Sequence, residues 1–223
     1  MTPSGERRQL RTDAERNRSR IIEAATVAFA QRGLDVPLDE VADEAGVGIG
    51  TLYRRFAGRD ELIGACFEQR LAQYAKAAED ALDAPDGWTG FAGYVERICA
   101  MQASDLGLAD VMNRSLPNAK ALESHRSRGY ELSVRLIQRA QAEGTLRADV
   151  VAEDLALLFM ANAGVVEVTR GAARDAWRRF LGIFLDGLRS EGASPLSAPP
   201  TPRQTMRAMR RLARTSQLSR RTS

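Results

Sequence analysis

Residues 47–59 concentrate side chains that can bind a nucleic acid, and they include no acidic residue. The guanidinium groups can neutralise phosphates, and the hydroxyls of Thr51 and Tyr53 suit phosphate oxygens. Arg54 can reach a guanine edge, and Ile49 can touch a thymine methyl group. The candidate DNA-contacting residues are Gly48, Ile49, Gly50, Thr51, Tyr53, Arg54, Arg55 and Arg59. The two glycines leave the start of the segment without bulk, so that backbone N–H groups can approach a phosphate closely.

The spacing of apolar residues predicts two short helices that would position this chemistry. Residues 38–45 place apolar side chains on one helical face and four carboxylates on the other, and Gly46 then ends the helix. Val47, Leu52 and Phe56 fall at helical offsets in the following segment. Two helices joined by such a turn form a helix-turn-helix unit, whose second helix enters the major groove. The alternative is a simple corner of two helices with a solvated basic face.

The residues before this unit predict a first helix and a flexible arm. Thr12 and Glu15 have capping-box spacing, so we expect the helix to begin there and to end at Gly33. Residues 1–11 are expected to form a flexible basic arm. Arginines in the arm and near the start of the helix could lie beside DNA, although an arm without such contacts is the simpler interpretation. They are Arg7, Arg8, Arg11, Arg16, Arg18 and Arg20.

The run GVGIGTLYRRF followed by GRDEL resembles the DNA-binding signature of the TetR family of bacterial regulators. The resemblance covers about the first 65 residues. It implies that Thr51, Tyr53 and Arg59 hold phosphates and that Gly48, Ile49, Gly50 and Arg54 face bases. Arg55 stands where the family often has His, and Ala57-Gly58 replaces a frequent Pro-Thr or Pro-Ser. These departures are compatible with DNA binding but leave the operator sequence open.

Composition indicates a globular protein but does not by itself argue for DNA binding. The formal charge of +3 and the pI of 9.2 come from the C-terminal end, because residues 195–223 hold seven basic and no acidic side chains. Cys66 and Cys99 are too sparse for a disulfide scaffold or a metal site, and Cys66 is expected to be a buried free thiol rather than a redox sensor. No apolar run suits a signal peptide or a membrane span, so we expect a cytoplasmic protein.

The rest of the chain predicts an all-α fold, because no segment alternates like a strand. An apolar stripe marks a long helix that begins near Asp60, abuts the candidate DNA-binding helix and could act as a lever. We expect four parts: the arm (1–11), an N-terminal three-helix helix-turn-helix DNA-binding domain (12–59), a C-terminal helical ligand-binding and dimerisation domain (60–192), and a Pro/Ser linker with an Arg-rich disordered tail (193–223). The tail arginines, which are expected to be solvated and could attract DNA non-specifically, are Arg203, Arg207, Arg210, Arg211, Arg214, Arg220 and Arg221.

The last two helices carry apolar residues beyond one stripe, which suggests that a second face is buried against another subunit. Residues off the main stripes are Ala156, Leu157, Met160, Ala161, Val166, Phe180 and Ile183. The resemblance implies a homodimer formed through these helices, and a cavity for a small-molecule effector that changes the spacing of the two DNA-reading helices. A deeper monomeric core is the alternative for the second face. Candidate cavity residues, each of which could equally be ordinary core, are Trp88, Phe91, Tyr94, Met101, Met112, His125, Phe159, Asn162 and Trp177.

An enzyme and a helical adaptor are the two alternatives to a DNA-binding regulator. The chain has one histidine and lacks GxSxG, phosphate-loop and HExxH motifs, so the sequence does not indicate an enzyme, a metal site or a cofactor. A helical adaptor would require the arginines of residues 47–59 to be incidental. The sequence therefore predicts a dimeric repressor that binds a palindromic double-stranded DNA operator, needs no cofactor, has no membrane partner and is released by a small apolar or amphipathic effector.

Overall fold

The computed structural model describes residues 3–113, 116 and 119–209, with side chains from Thr12 onward except that of Leu106. Over those residues the regular elements are helices, and the only strand-like pairing is an isolated bridge between Leu146 and Arg189. The predicted all-α fold is confirmed. The helices are α1 (Pro3–Arg32), α2 (Leu38–Glu44), α3 (Ile49–Arg55), α4 (Arg59–Leu82), α5 (Gly87–Ser104), α6 (Leu106–Asn113), α7 (Lys120–Ala142), α8 (Ala152–Thr169) and α9 (Ala176–Gly187).

Glycines end helices where the sequence predicted breaks. Gly33 closes α1 with φ of 79°, and Gly46 follows α2 with φ of 63°. A side chain is strained in this left-handed region, whereas the nearby guanidinium of Arg20 is the end of a flexible side chain and could move aside. The backbone conformation of the turn between α2 and α3 therefore favours glycine at position 46.

The first hydrophobic core joins α1–α4 to α6. Phe29, Leu52, Phe56 and Phe67 are all at most 1% exposed within it. Helix α6 packs so closely that a Cβ at Gly107 would lie 2.6 Å from the carbonyl oxygen of Phe29. The helices that hold α3 therefore share one core with an element of the C-terminal half.

The second core lies between α5, α7, α8 and α9, with the far end of α4 packed against it. Tyr94 and Trp177 are buried there, and Tyr94 packs edge-on against Phe159 with ring centroids 6.4 Å apart. Among the described residues, every helix is too short or too polar to cross a lipid bilayer.

Two predictions about the ends of the chain are wrong, and the first concerns the start of helix α1. Helix α1 begins at Pro3 instead of Thr12, so most of the expected arm is helical backbone. Proline suits the first turn of a helix, and several good helix formers follow it.

The second correction concerns the C-terminal tail, which was expected to be disordered. Residues 202–209 are helical. The amide of Thr201 donates to Gln204 Oε1 at 2.8 Å, and the amide of Gln204 donates to Thr201 Oγ1 at 3.3 Å. This reciprocal pair is a capping box followed by Pro202 at the first helical position, a local signal that encodes a helix start. The predicted disorder at 210–223, with Arg210, Arg211, Arg214, Arg220 and Arg221, lies outside the described residues.

Candidate nucleic-acid interface and cavity

Helix α3 buries its apolar side and exposes its polar side. Leu52 and the following Phe56 are at most 1% exposed and hold the helix against α1, α2 and α4. Tyr53 is 54% exposed and Ile49 is 40% exposed, and both large side chains therefore lie on the open surface. Gly48, Gly50, Arg54 and Arg55 are also exposed, and Thr51 is half-buried.

The two glycines at the start of α3 are not required by the packing of the protein itself. A Cβ added at Gly48 or Gly50 would meet no atom within 4 Å. Gly48 also has φ of −71°, which any residue can adopt. The described part of the chain therefore leaves room for a side chain at both positions.

The arginines of this region are not equivalent. Arg54 donates through Nη2 to Thr51 Oγ1 at 2.8 Å on the exposed surface, so it is held along α3 and can be released to another acceptor. Arg59 donates through Nη1 to the carbonyl oxygens of Leu34 and Val36, at 2.6 and 2.7 Å. The guanidinium of Arg59 therefore fastens the loop between α1 and α2 to the start of α4, and its implied contact with a phosphate stays a prediction.

Arginines of α1 also contact the helix-turn-helix unit. Arg18 stacks over the ring of Phe56 at 5.4 Å, and Arg20 donates to the carbonyl oxygen of Gly46 at 3.4 Å. On the opposite flank, Arg32 pairs with Glu40 and Glu44 of α2 at 3.5 and 2.5 Å. The carboxylates of α2 are thus partly neutralised by α1. The side chains of Arg7, Arg8 and Arg11 lie outside the described ones.

A cavity of about 620 Å³ lies in the C-terminal half. Its walls come from α4, α6, α7, α8 and residues 202–209, and they combine apolar side chains with a few polar ones. The lining includes Leu71, Tyr74, Met112, Asn113, Arg126, Tyr130, Glu153, Ala156, Phe159, Thr205, Met206 and Met209. The size and mixed lining suit a small organic molecule.

Two of the nine cavity residues proposed from sequence, Met112 and Phe159, line this space. The other seven do not. Phe91, Tyr94, Asn162 and Trp177 are buried in the core, while Trp88 and Met101 pack against it and His125 is half-buried on α7. Asn162 donates to Gln102 Oε1 at 2.9 Å, which gives this buried amide a partner inside the chain.

Sequence reasoning missed the polar residues of the cavity wall. Arg126 donates through Nη2 to the carbonyl oxygen of Val111 at 2.6 Å, and burial lowers the pKa of its guanidinium. Tyr130 donates to Glu153 Oε1 at 3.0 Å, and burial together with that carboxylate raises the pKa of Tyr130. Both residues lie among the polar positions of amphipathic helix α7, where nothing in the sequence pattern separates them from solvated residues.

The two cysteines are buried free thiols, as predicted for Cys66. Burial raises the pKa of Cys66 to about 11 and that of Cys99 to about 12. A redox sensor requires a thiolate near neutral pH, and these thiols are protonated there.

The outer faces of α8 and α9 expose apolar residues in the single chain. Leu157, Val168 and Ile183 are 46%, 84% and 65% exposed, and Ala161 and Gly164 continue the exposed row on α8. Val166, which was expected on this second face, is instead 5% exposed in the chain's own core. Exposed apolar patches of this kind on a soluble protein mark interaction surfaces.

The chain is similar to bacterial regulators in both halves. Residues 21–66 match the model of the family described as bacterial regulatory proteins, tetR family, and residues 86–190 match that of the SbtR-like transcriptional regulator C-terminal domain. The HTH-type transcriptional repressor SCO4008 of Streptomyces coelicolor is 26% identical over 159 residues, which cover 68% of this chain and 78% of that protein.

Solved structures extend this similarity. A TetR transcription regulatory protein from Mycobacterium vanbaalenii is 31% identical, with 81% of this chain and 99% of that chain covered and a TM-score of 0.47. FadR from Bacillus subtilis, solved in complex with stearoyl-CoA, has a TM-score of 0.58 at 16% identity, with 76% of this chain and 98% of that chain covered, and shares the fold.

Proposed function

The chain belongs to the TetR family of bacterial transcriptional regulators, and from that premise we propose that it is a homodimeric repressor of a palindromic operator, released by a small-molecule effector. It is a DNA-binding regulator rather than an enzyme by its family. The observation that carries the proposal is the exposed face of α3, which offers arginine and hydroxyl groups and no carboxylate. Since its partner is chromosomal DNA, we place the protein in the bacterial cytoplasm.

Different residues of α3 are assigned different tasks. Tyr53 and Thr51 contact phosphates, which fixes the position of the helix on DNA without reading sequence. Arg54 gives up its hydrogen bond to Thr51 and contacts a base edge instead. Ile49 contacts a thymine methyl group. Gly48 and Gly50 let the backbone approach the DNA, and Arg55 adds positive charge. Arg59 acts indirectly by holding the loop between α1 and α2.

The dimer is proposed to form through the exposed faces of α8 and α9. Leu157 and Ile183 would be withdrawn from water by pairing with the same faces of a second copy. The pairing must place the two α3 helices about 34 Å apart, or a multiple of that distance, because successive major-groove half-sites have that separation.

We propose that the effector occupies the cavity of about 620 Å³. Its lining favours a molecule with an apolar body and a polar group near the Tyr130–Glu153 pair. The stearoyl-CoA complex of FadR is a precedent for an amphipathic ligand in this fold. By the same assignment, residues 12–59 form the DNA-binding domain and residues 60–192 the regulatory and dimerisation domain.

Helix α6 offers a short physical connection between this cavity and α3. Met112 and Asn113 of α6 line the cavity, while Asp110 accepts a hydrogen bond at 3.2 Å from the amide of Leu34. The carbonyl oxygen of Leu34 in turn accepts from Arg59. An effector that favours a displaced α6 would therefore move the loop that supports the DNA-binding helices, and it can weaken DNA binding only by its differential affinity for the two states.

A gel-shift assay with fragments of bacterial genomic DNA at two salt concentrations tests the proposal. A repressor retains a small set of fragments selectively, and its affinity falls as salt rises because phosphate contacts release counterions. Weak retention of all fragments alike would instead favour the helical adaptor and would contradict operator recognition.

A further inference from the structure

We propose that residues 202–209, here called the C-terminal segment, form a wall of the cavity that covers part of the bound effector and strengthens its binding. The inference rests on the effector cavity of the proposed function and adds a further part of the chain to the effector site. Pro202, Thr205, Met206 and Met209 line the same cavity as Phe159 and Tyr130.

The segment is amphipathic and faces the cavity with its less polar side. Thr205 is 8% exposed and Met206 and Met209 are half-buried, while Arg203 and Arg207 are exposed. Its helix starts at the Thr201–Gln204 capping box. This start is encoded locally, and packing on the cavity wall supplies the further stability that so short a helix needs.

Hydrogen bonds fasten the chain at residues 194 and 196, shortly before the segment begins. The Arg147 guanidinium is bound to Asp149 at 2.6 Å and donates to the carbonyl oxygen of Ser194. The amide of Leu196 donates to Asp149 Oδ2 at 3.2 Å. Residues 197–199 are exposed and have no regular structure, and Pro199 and Pro200 then restrict the backbone that leads into the segment.

The segment covers part of the cavity without filling it. About 620 Å³ is open while its two methionines are in the wall. Thr205, which is 8% exposed, contributes to the same wall.

The position of the segment in the cavity wall predicts how its removal changes the affinity of the protein for a bound ligand. A wall that covers apolar ligand surface strengthens binding, whereas a segment that competes for the same space weakens it. Removing the wall should raise the dissociation constant roughly tenfold, since returning about 60 Å² of apolar surface to water suffices for that change.

The test compares three lengths of the protein with 8-anilinonaphthalene-1-sulfonate as a fluorescent probe. The full chain and a chain ending at residue 209 should bind the dye equally, and a chain ending at residue 200 should bind it roughly tenfold more weakly. Met206→Ala with Met209→Ala should reproduce part of this loss, and Arg207→Gln, an exposed change on the same segment, should not.

If removal of residues 201–209 left the dye affinity unchanged, the proposed role of the segment as a cavity wall would be wrong. Tighter dye binding would also contradict that role, because it would mean that the segment competes with the dye for the cavity. Ala156→Trp, which fills the cavity from α8, locates the dye. If that variant binds the dye unchanged, or if no form binds it, the effector cavity itself is rejected. Gel shifts on the same variants keep the DNA-binding part of the proposal separate from both outcomes.

Discussion

Gly50, in the first turn of α3, is a position where the requirements of folding and of DNA contact can be separated. A Cβ there meets nothing in the chain, so Gly50→Ala should leave the free energy of unfolding unchanged or raise it by up to about 1 kcal/mol. The added methyl group would lie between α3 and the groove, so operator affinity should fall. Chemical denaturation and gel shifts measure the two quantities.

Gly93→Ala is the matched control for Gly50→Ala, because Gly93 lies in α5 with open space at its Cβ. Gly93→Ala should bind the operator with the same affinity as the unchanged protein. Unchanged operator affinity in Gly50→Ala would argue that this end of α3 does not approach DNA.

The buried thiols predict a loss of stability at high pH. Cys66 and Cys99 have pKa values raised to about 11 and about 12 from 9.0, because burial disfavours the thiolate. A group whose pKa is raised by folding contributes fully below its unfolded pKa, and its contribution is lost as pH rises through the folded value. The free energy of unfolding should therefore decline above pH 9.

Comparison with a Cys66→Ala, Cys99→Ala variant isolates this effect from other alkaline titrations. The variant should be less stable at pH 8 but should lose less stability between pH 8 and pH 10.5. Parallel declines for the two proteins, measured by urea denaturation, would contradict the burial of the thiols.

At the residue scale, the sequence predicted α3 well and the cavity poorly. The exposed residues of α3 stand out because their basic and hydroxyl groups occur together without a carboxylate. Arg59 belongs to the same basic stretch of sequence as the residues of α3. Its hydrogen bonds to the carbonyl oxygens of Leu34 and Val36, however, depend on the fold of a loop that is distant in sequence. Apolar stripes likewise identify buried residues without distinguishing a filled core from a cavity wall.

At the scale of elements, α6 is the helix whose position should matter most to both halves. Gly107→Ala should lower the free energy of unfolding by about 1–3 kcal/mol, because its Cβ would lie 2.6 Å from the carbonyl oxygen of Phe29 and 2.7 Å from the Phe67 ring. Gly93→Ala, with open space at its Cβ, should be neutral or stabilising. Thermal or urea denaturation of the two variants measures the difference.

Gly107→Ala should also lower operator affinity, because a displaced α6 would support the DNA-binding helices less well. The comparison is made under conditions in which both variants are fully folded. Equal stability of Gly107→Ala and Gly93→Ala would contradict the close packing of α6 on α1 and α4.

Element positions were predictable where a local signal ends a helix. Gly33 and Gly46 both have positive φ and stand at the predicted helix ends. The early start of α1 at Pro3 and the helix at residues 202–209 were missed, since charged and Pro-rich segments favour a prediction of disorder. In the second case the Thr201–Gln204 capping box was a usable signal that composition outweighed.

At the scale of the whole molecule, the proposed repressor needs two copies of the chain. Ile183→Arg places a charge on the exposed apolar face of α9, so it should shift the dimer towards monomer in sedimentation experiments and weaken operator binding with it. Leu196→Arg is a matched control, because Leu196 is 51% exposed but lies in the linker. A dimer unaffected by Ile183→Arg would place the interface elsewhere.

A hydroxyl-radical footprint of the purified protein on an operator selected from genomic DNA would show whether two α3 helices bind together. A dimeric repressor should protect two half-sites about 34 Å apart, or a multiple of that spacing. Tyr53→Phe should weaken protection on all operator variants alike, whereas Arg54→Ala should relax preference at one base position in each half-site. A single protected half-site, or equal losses for Arg54→Ala on every base variant, would contradict a paired α3 that reads sequence.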